Sequence, residues 1–255
     1  MLSKVFIMAL AASPLVAAHG KIATGDAGGN GTALGIQGGV VPGPGRNKRV
    51  GSYQTVTEPD TTVFGSTNIM TDGLGKTNGG GQNTVQSLSD AMAQSGSTLP
   101  QVSSTGGQIS GTFHIVTTDG AGPIEAVLDP TGTGAFSQGT KLETVTQVPG
   151  NGGKIKATQG LNSPRGLFER MMSTITKRAT NVNEDYPMAF NVPAGTICTG
   201  SMAGQENVCL VKIANSNKAG PFGGIVAVQM VDGAAAPVST PAARRFHARR
   251  VVLNA

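Results

Sequence analysis

Three histidines, His19, His114 and His247, are the residues of this chain best suited to holding a metal ion. His19 follows a stretch that reads as a cleavable leader. Lys4 supplies the positive start, and "VFIMALAASPLVAA" is an apolar run too short to cross a bilayer. Val16 and Ala18 are the small residues a signal peptidase requires before its cut. Cleavage after Ala18 gives His19 a free α-amino group beside its imidazole, and these two nitrogens can close a chelate ring on one ion. The plainer alternative is that a histidine follows the leader by chance.

His114 lies in "QISGTFHIVT", where Ile109, Phe113 and Ile115 alternate with Thr112, His114 and Val116, the pattern of a strand with one apolar face. The loop "TTDGAGP" follows. Alone, such a histidine is expected to be half-buried and hydrogen-bonded to backbone. Together with His19 it completes a set of three nitrogen donors, one amine and two imidazoles. A tetragonal, nitrogen-rich set suits copper, whereas zinc prefers a tetrahedral array with a fourth ligand. One copper ion is therefore the expected cofactor. His247 sits among the arginines of the C-terminal tail and is a poor ligand.

Other chemistries find less support. Gly75-Lys76-Thr77 lacks the first glycine of a phosphate-binding loop at the required spacing. No G-x-S-x-G elbow is present. Glu184 and Asp185 are adjacent, and neighbours on a strand point apart, so they do not form the facing carboxylates of a glycoside hydrolase.

The elements that must position the histidines follow from composition. The 255 residues include 38 glycines, and only 13% are charged, with β-branched residues in short runs. That profile predicts an all-β domain, an immunoglobulin-like or fibronectin-like β-sandwich with long glycine-rich loops and one or two short helices. We expect a signal peptide over 1–18, the sandwich over 19–235, and a basic, disordered tail over 236–255. The net charge of +5 is accounted for by Lys4 and the tail residues Arg244, Arg245, Arg249 and Arg250. This argues against a nucleic-acid groove. With no later membrane-spanning segment, a secreted, extracellular monomer without nucleic-acid or membrane partners is expected. In an oxidising compartment Cys198 and Cys209 should form one disulfide. Asn30-Gly31-Thr32 is a glycosylation sequon, and Lys177-Arg178 is a dibasic pair open to processing.

Along the chain, residues 19 to 49 read as loop, "VGSYQTV" as a strand and "DGLGKTNGGGQN" as irregular. "NTVQSLSDAMAQ" spaces Val85, Leu88 and Met92 for a short surface helix capped by Asn83 or Thr84. "NVCLVKIAN" and "GGIVAVQMV" read as strands. Leu167, Phe168, Met171, Met172 and Ile175 form a second helical stripe.

The blocks "FHIVTTDGAGP", "DPTGTGAF", "VTQVPGN" and "CTGSMAGQENVCLVKIANSNKAGPFGGIVAVQM" resemble the Egh-type secreted virulence factors of fungi, the appressorium-specific Mas and Gas proteins. The histidine after the leader, the strand histidine and a late aromatic resemble the copper histidine brace of lytic polysaccharide monooxygenases. The resemblance extends to about Val231. It implies a secreted fungal protein of the host-penetration stage, its brace formed by His19 and His114. The implied partner is a polysaccharide of the host or fungal cell wall, cleaved oxidatively with an unidentified electron donor. Phe222 matches the aromatic at the axial copper position, or else plugs the core. Gln205 or Gln229 matches the polar group beside the copper. Two departures stand out. Ala126, Ile213 and Ile225 replace cysteines usual in the family, and Gly220 stands where monooxygenases commonly carry Gln or Glu. A non-catalytic copper-binding protein and an effector-like binding module are the alternatives, both favoured by the lack of Trp and the presence of only two Tyr.

Overall fold

A computed structural model describes residues 21–26, 31, 33–36, 40–47, 54–77, 79–95, 98–156 and 181–231. For 21–26, 40–47, 54–59, 94–95, 181 and 183 it describes the backbone alone. His19, Asn30, the dibasic pair, the second helical stripe, the leader and the tail with His247 lie outside these residues. The described chain is mainly β. In order it runs β1 (Lys21–Asp26), β2 (Val40–Asn47), β3 (Gln54–Pro59), β4 (Thr62–Val63), β5 (Lys76–Thr77), β6 (Gly81–Gln82), α1 (Val85–Ser95), β7 (Gln101–Ser103) and β8 (Gly107–Thr117). It continues with β9 (Ile124–Asp129), a single 3-10 turn at Phe136–Gln138, β10 (Thr140–Thr146), β11 (Asn181–Val192), β12 (Gly200–Met202), β13 (Gln205–Asn215) and β14 (Phe222–Val231).

The main sheet runs β1-β8-β11-β10-β9-β13-β14-β4-β5-β6, with β12 beside β13 and β7 parallel to β14. It folds over on itself through β10. Thr140–Leu142 pair with β9, whereas Glu143, Thr144 and Thr146 pair with β11 across a register shift. A strand that changes partner halfway turns the corner between two layers. The alternation read from the sequence then fills the space between them. Ile109, Phe113 and Ile115 of β8 and Met188 and Phe190 of β11 meet Leu128 of β9, Val211 and Ile213 of β13, and Val226 and Val228 of β14 in one buried cluster. Ala126 and Ile213 are cross-strand partners within it, both fully buried. The expected disulfide is present. Cys198, in the loop before β12, is bonded to Cys209 in β13, with a Cα–Cα distance of 5.1 Å.

The outer face of β13 and β14 is buried too. Leu88 and Met92 of α1, with Phe64, Ile69, Leu99 and Phe136, cover Leu210, Ile225 and Ala227. Thr84 caps α1: its hydroxyl accepts the Ser87 amide at 3.3 Å, while Ser87 Oγ accepts the Thr84 amide at 3.2 Å. Asn83 instead ties this segment to Thr62 and Leu74.

Two readings are corrected. Residues 19 to 49 contain strands β1 and β2, and "DGLGKTNGGGQN" contains β5 and β6. In β2 the Pro and Gly residues fall where the register with β3 shifts, between Pro42 and Arg46, in a two-stranded ribbon that demands few ladder bonds. β5 and β6 are a two-residue hairpin held as much by β4 as by their own sequence. Among the described residues, no helix is long and apolar enough to cross a membrane.

Lys212 is the conspicuous charge in the outer cluster. It is 1% exposed, donates to the Thr71 carbonyl, and lies 4.0 Å from the centre of the Phe64 ring and 5.4 Å from that of Phe136. Burial pulls its pKa down to about 8, with the Asp72 carboxylate pulling the other way. The folded pKa lies below the unfolded value, so the stability linked to this group is fully present above about pH 10.5 and is lost as pH falls through about 8. Lys212→Met is accordingly expected to raise the unfolding free energy at pH 7 by about 1–2 kcal/mol and to flatten the rise in stability between pH 8 and 10. Urea titrations across that range check this, and an unchanged slope would contradict it.

Candidate functional site

Strand register collects the ends of several elements at one end of the two layers. Lys21, at the start of β1, is paired with His114 on β8, and Asp185, near the start of β11, is paired with His114 from the other side. The loop 118–123 leaves β8 at this end. The loop after β10, the exit of β13 at Asn215 and the entry of β14 at Phe222 meet it there. β1 also lies against β14.

These loops are stitched by amides. Asn215 Nδ2 donates to the Ala121 carbonyl at 2.9 Å, and its Oδ1 accepts the Phe222 amide at 2.9 Å. Asn217 Nδ2 donates to the carbonyls of Asp119 and Gly153. Gly153 has φ +77, and a Cβ on it would stand 2.4 Å from that of Asn217, so only glycine permits this approach. Gln147 accepts the amides of Ile124 and Val148 and donates back to the Ile124 carbonyl. The site end is thus a fixed platform of three loops.

On it, His114 Nδ1 lies 2.7 Å from Asp185 Oδ1, the histidine side chain being 15% exposed and the carboxylate 67%. A carboxylate on Nδ1 holds the proton there, so that Nε2 carries the lone pair, and it fixes the plane of the ring. This is the donor arrangement a metal-binding imidazole requires. Glu184 and Asp185 do point apart, as their adjacency predicts. Glu184 accepts the Tyr186 hydroxyl on the core-facing side of β11. That hydrogen bond, with burial and the charge of Glu184, pushes the Tyr186 pKa up to about 12.

The remaining site candidates fall elsewhere. Gln205 opens β13 and accepts from Gln229 Nε2 at 3.4 Å, while Gln229 accepts from Gln101. The length of β13 separates Gln205 from Asn215 by roughly 30 Å at the rise of an extended strand, so the structure brings neither glutamine to His114. Phe222 lies at the same end of the layers as His114 but is 1% exposed. Strand alternation puts it on the side of β14 that carries Val226 and Val228, whereas His114 points away from that core. At Gly220, φ is +131 and a Cβ would meet Val63 at 2.9 Å, so a larger side chain such as Gln or Glu is strained there. Among the described residues, no group of three or more His, Cys, Asp or Glu side chains is placed to hold a metal. Asp185 is the neighbour of His114 that sequence reasoning missed. It lies 71 residues from His114, and only the pairing of β8 with β11 reveals it.

Comparison with known proteins completes the picture. A family model described as Egh16-like virulence factor matches residues 17–223. The chain is 38% identical over 244 residues to the appressoria-specific virulence factor GAS1 of Pyricularia oryzae strain 70-15, covering 94% of this chain and 81% of that protein. It is 36% identical over 122 residues to GAS2, an appressoria-specific virulence factor of the same strain, a stretch that is 48% of this chain and 34% of the relative. No solved structure matches.

Proposed function

Because the chain belongs to the Egh16-like virulence factor family, we propose that it is a secreted fungal protein of the host-penetration stage that holds one copper ion between His19 and His114 and oxidatively cleaves a cell-wall polysaccharide. The observation that carries this reading is the His114–Asp185 pair at the mouth of β1. Lys21 lies directly across from His114, and paired Cα atoms on antiparallel strands are about 5 Å apart. Two residues of chain reach at most ~7 Å, so His19 is tethered within roughly 12 Å of His114, Cα to Cα, whatever its conformation.

The donor set fits copper: an imidazole already oriented through its far nitrogen, and a tethered residue able to offer an amine and a second imidazole. When bound, the ion supplies one-electron redox chemistry with dioxygen or peroxide. The chain's own part is positional. Asp185 fixes the His114 ring and its tautomer, the ladder between β1 and β8 holds Lys21 opposite His114, and the amide-stitched loops keep the platform rigid.

The test is a Cu(II) titration of protein beginning at His19 against protein with one extra N-terminal residue. Affinity should fall by at least about 100-fold when the amine is blocked, because one of three donors is removed. Equal affinities would refute the site. A non-catalytic copper-binding or effector-like role gains support from one observation. Every described phenylalanine is at most 1% exposed, so none of these five rings is presented to stack on a neutral sugar. Chain cleavage assayed with ascorbate and peroxide separates the two readings.

A further inference from the structure

The structure points to an anionic polysaccharide, a polyuronate, as the polymer bound at the His114 end, with Lys154, Lys156 and Lys218 receiving its carboxylates. This rests on the reading of that end as a polysaccharide site and narrows the class of polymer.

Summed over the whole sequence the net positive charge equals that of Lys4 and the four C-terminal arginines, but in space the charges at this end are sorted. Each carboxylate here is engaged. Asp119 accepts the Thr117 hydroxyl at 2.6 Å, Glu184 the Tyr186 hydroxyl and Asp185 the His114 ring, while Glu125 lies 3.4 Å from Lys141. The lysines are exposed instead, and their ammonium groups have no partner among the described residues.

Their placement is fixed by the same stitching that builds the platform. Ile155 donates its amide to the Thr118 carbonyl at 2.8 Å, which sets Lys154 and Lys156 against the loop that leaves β8 four residues beyond His114. The bond from Asn217 to Gly153 places Lys218 beside Lys154. Three cations from two loops are therefore held together on a rigid surface, about 13 Å of strand from His114.

What is missing points the same way. The C–H face of a neutral sugar is apolar and is gripped by exposed aromatic rings. Among the described residues Phe64, Phe113, Phe136, Phe190 and Phe222 are buried, Tyr186 is only partly exposed with its hydroxyl bonded to Glu184, and the exposed large apolar residues are Val85, Val145 and Ile197. Charge is the recognition chemistry this surface retains. Contacts of this kind weaken steeply as salt shortens the screening length.

The experiment uses the processed protein with metal removed by chelation, in affinity electrophoresis through gels containing polygalacturonate, its methyl ester, or double-stranded DNA. Retention by polygalacturonate should exceed that by the uncharged ester by at least about 10-fold and vanish near 0.5 M salt, where screening acts within ~4 Å. The triple variant Lys154→Ala, Lys156→Ala, Lys218→Ala should lose it, the single reversal Lys218→Glu should weaken it, and Lys76→Ala, at an exposed lysine outside the platform, should leave it unchanged. Equal retention by the ester, equal or stronger retention by DNA, or a triple variant that binds like wild type would each overturn the assignment. Since the metal is absent throughout, these outcomes judge the polyuronate alone; the copper titration judges the reading on which it rests.

Discussion

His114→Ala is expected to lower Cu(II) affinity by about 100-fold or more, and Asp185→Ala by about 10–100-fold, in protein that remains folded. The order of the two effects is the informative part. Alanine at 114 removes a donor outright. Alanine at 185 leaves the donor but frees the ring to rotate and to move its proton onto Nε2, so the cost is that of lost orientation. The pair lies at the surface end of β8 and β11, with the carboxylate 67% exposed, so neither change empties the core. Calorimetric titration of both variants, with His247→Ala as a control expected to match wild type, checks the ranking. His114→Ala within threefold of wild type would remove His114 from the site, and a loss in His247→Ala would reassign the ligand.

Asp129→Ala is expected to cost about 3–4 kcal/mol of folding stability, and Asp129→Asn about 2 kcal/mol. Asp129 is fully buried at the end of β9. Its Oδ1 accepts the amide and hydroxyl of Thr131 at 2.9 and 2.7 Å, and its Oδ2 accepts the amides of Thr133, Gly134 and Ala135 at 3.1, 2.7 and 3.1 Å. One carboxylate thus satisfies five donors and winds "DPTGTGAF" into the turn that delivers Phe136 to the outer cluster above Lys212. Removing it leaves those donors without their acceptor and releases the ring. Asparagine keeps the shape but offers only one acceptor oxygen and turns an NH2 toward amides. Equilibrium denaturation gives both numbers; a loss below about 1 kcal/mol in Asp129→Ala would show that water replaces the carboxylate without penalty.

The strands carrying the core were legible because their period is written in side chains. Ile109, Phe113 and Ile115 are buried as the alternation predicts, and the apolar runs of β13 and β14 reflect burial on both faces. The cysteine pair and the helix were equally plain. β2, β5 and β6 were not, because glycine, proline and polar residues carry no period; their pairing is imposed by neighbouring strands. The site was half legible. His114 could be picked out by its type and its strand, but its carboxylate is supplied by a strand 71 residues away. The C-terminal block misled in a particular way. Gln205 and Phe222 are close in sequence, yet the eleven residues of β13 run between them and leave them at opposite ends of that strand.

The corner strand β10 has a consequence for how the molecule avoids sticking to its own copies. Its first half hydrogen-bonds one layer and its second half the other, so withdrawing these seven residues would uncover two strand edges at once. Each edge would belong to a core strand and could template pairing with another chain. The first half of β10 is itself poorly suited to such pairing when it is displaced. Lys141 and Glu143 flank buried Leu142, so a strand added alongside this first half would meet a charge on either side of that residue. One short strand thus covers an edge in each of the two layers.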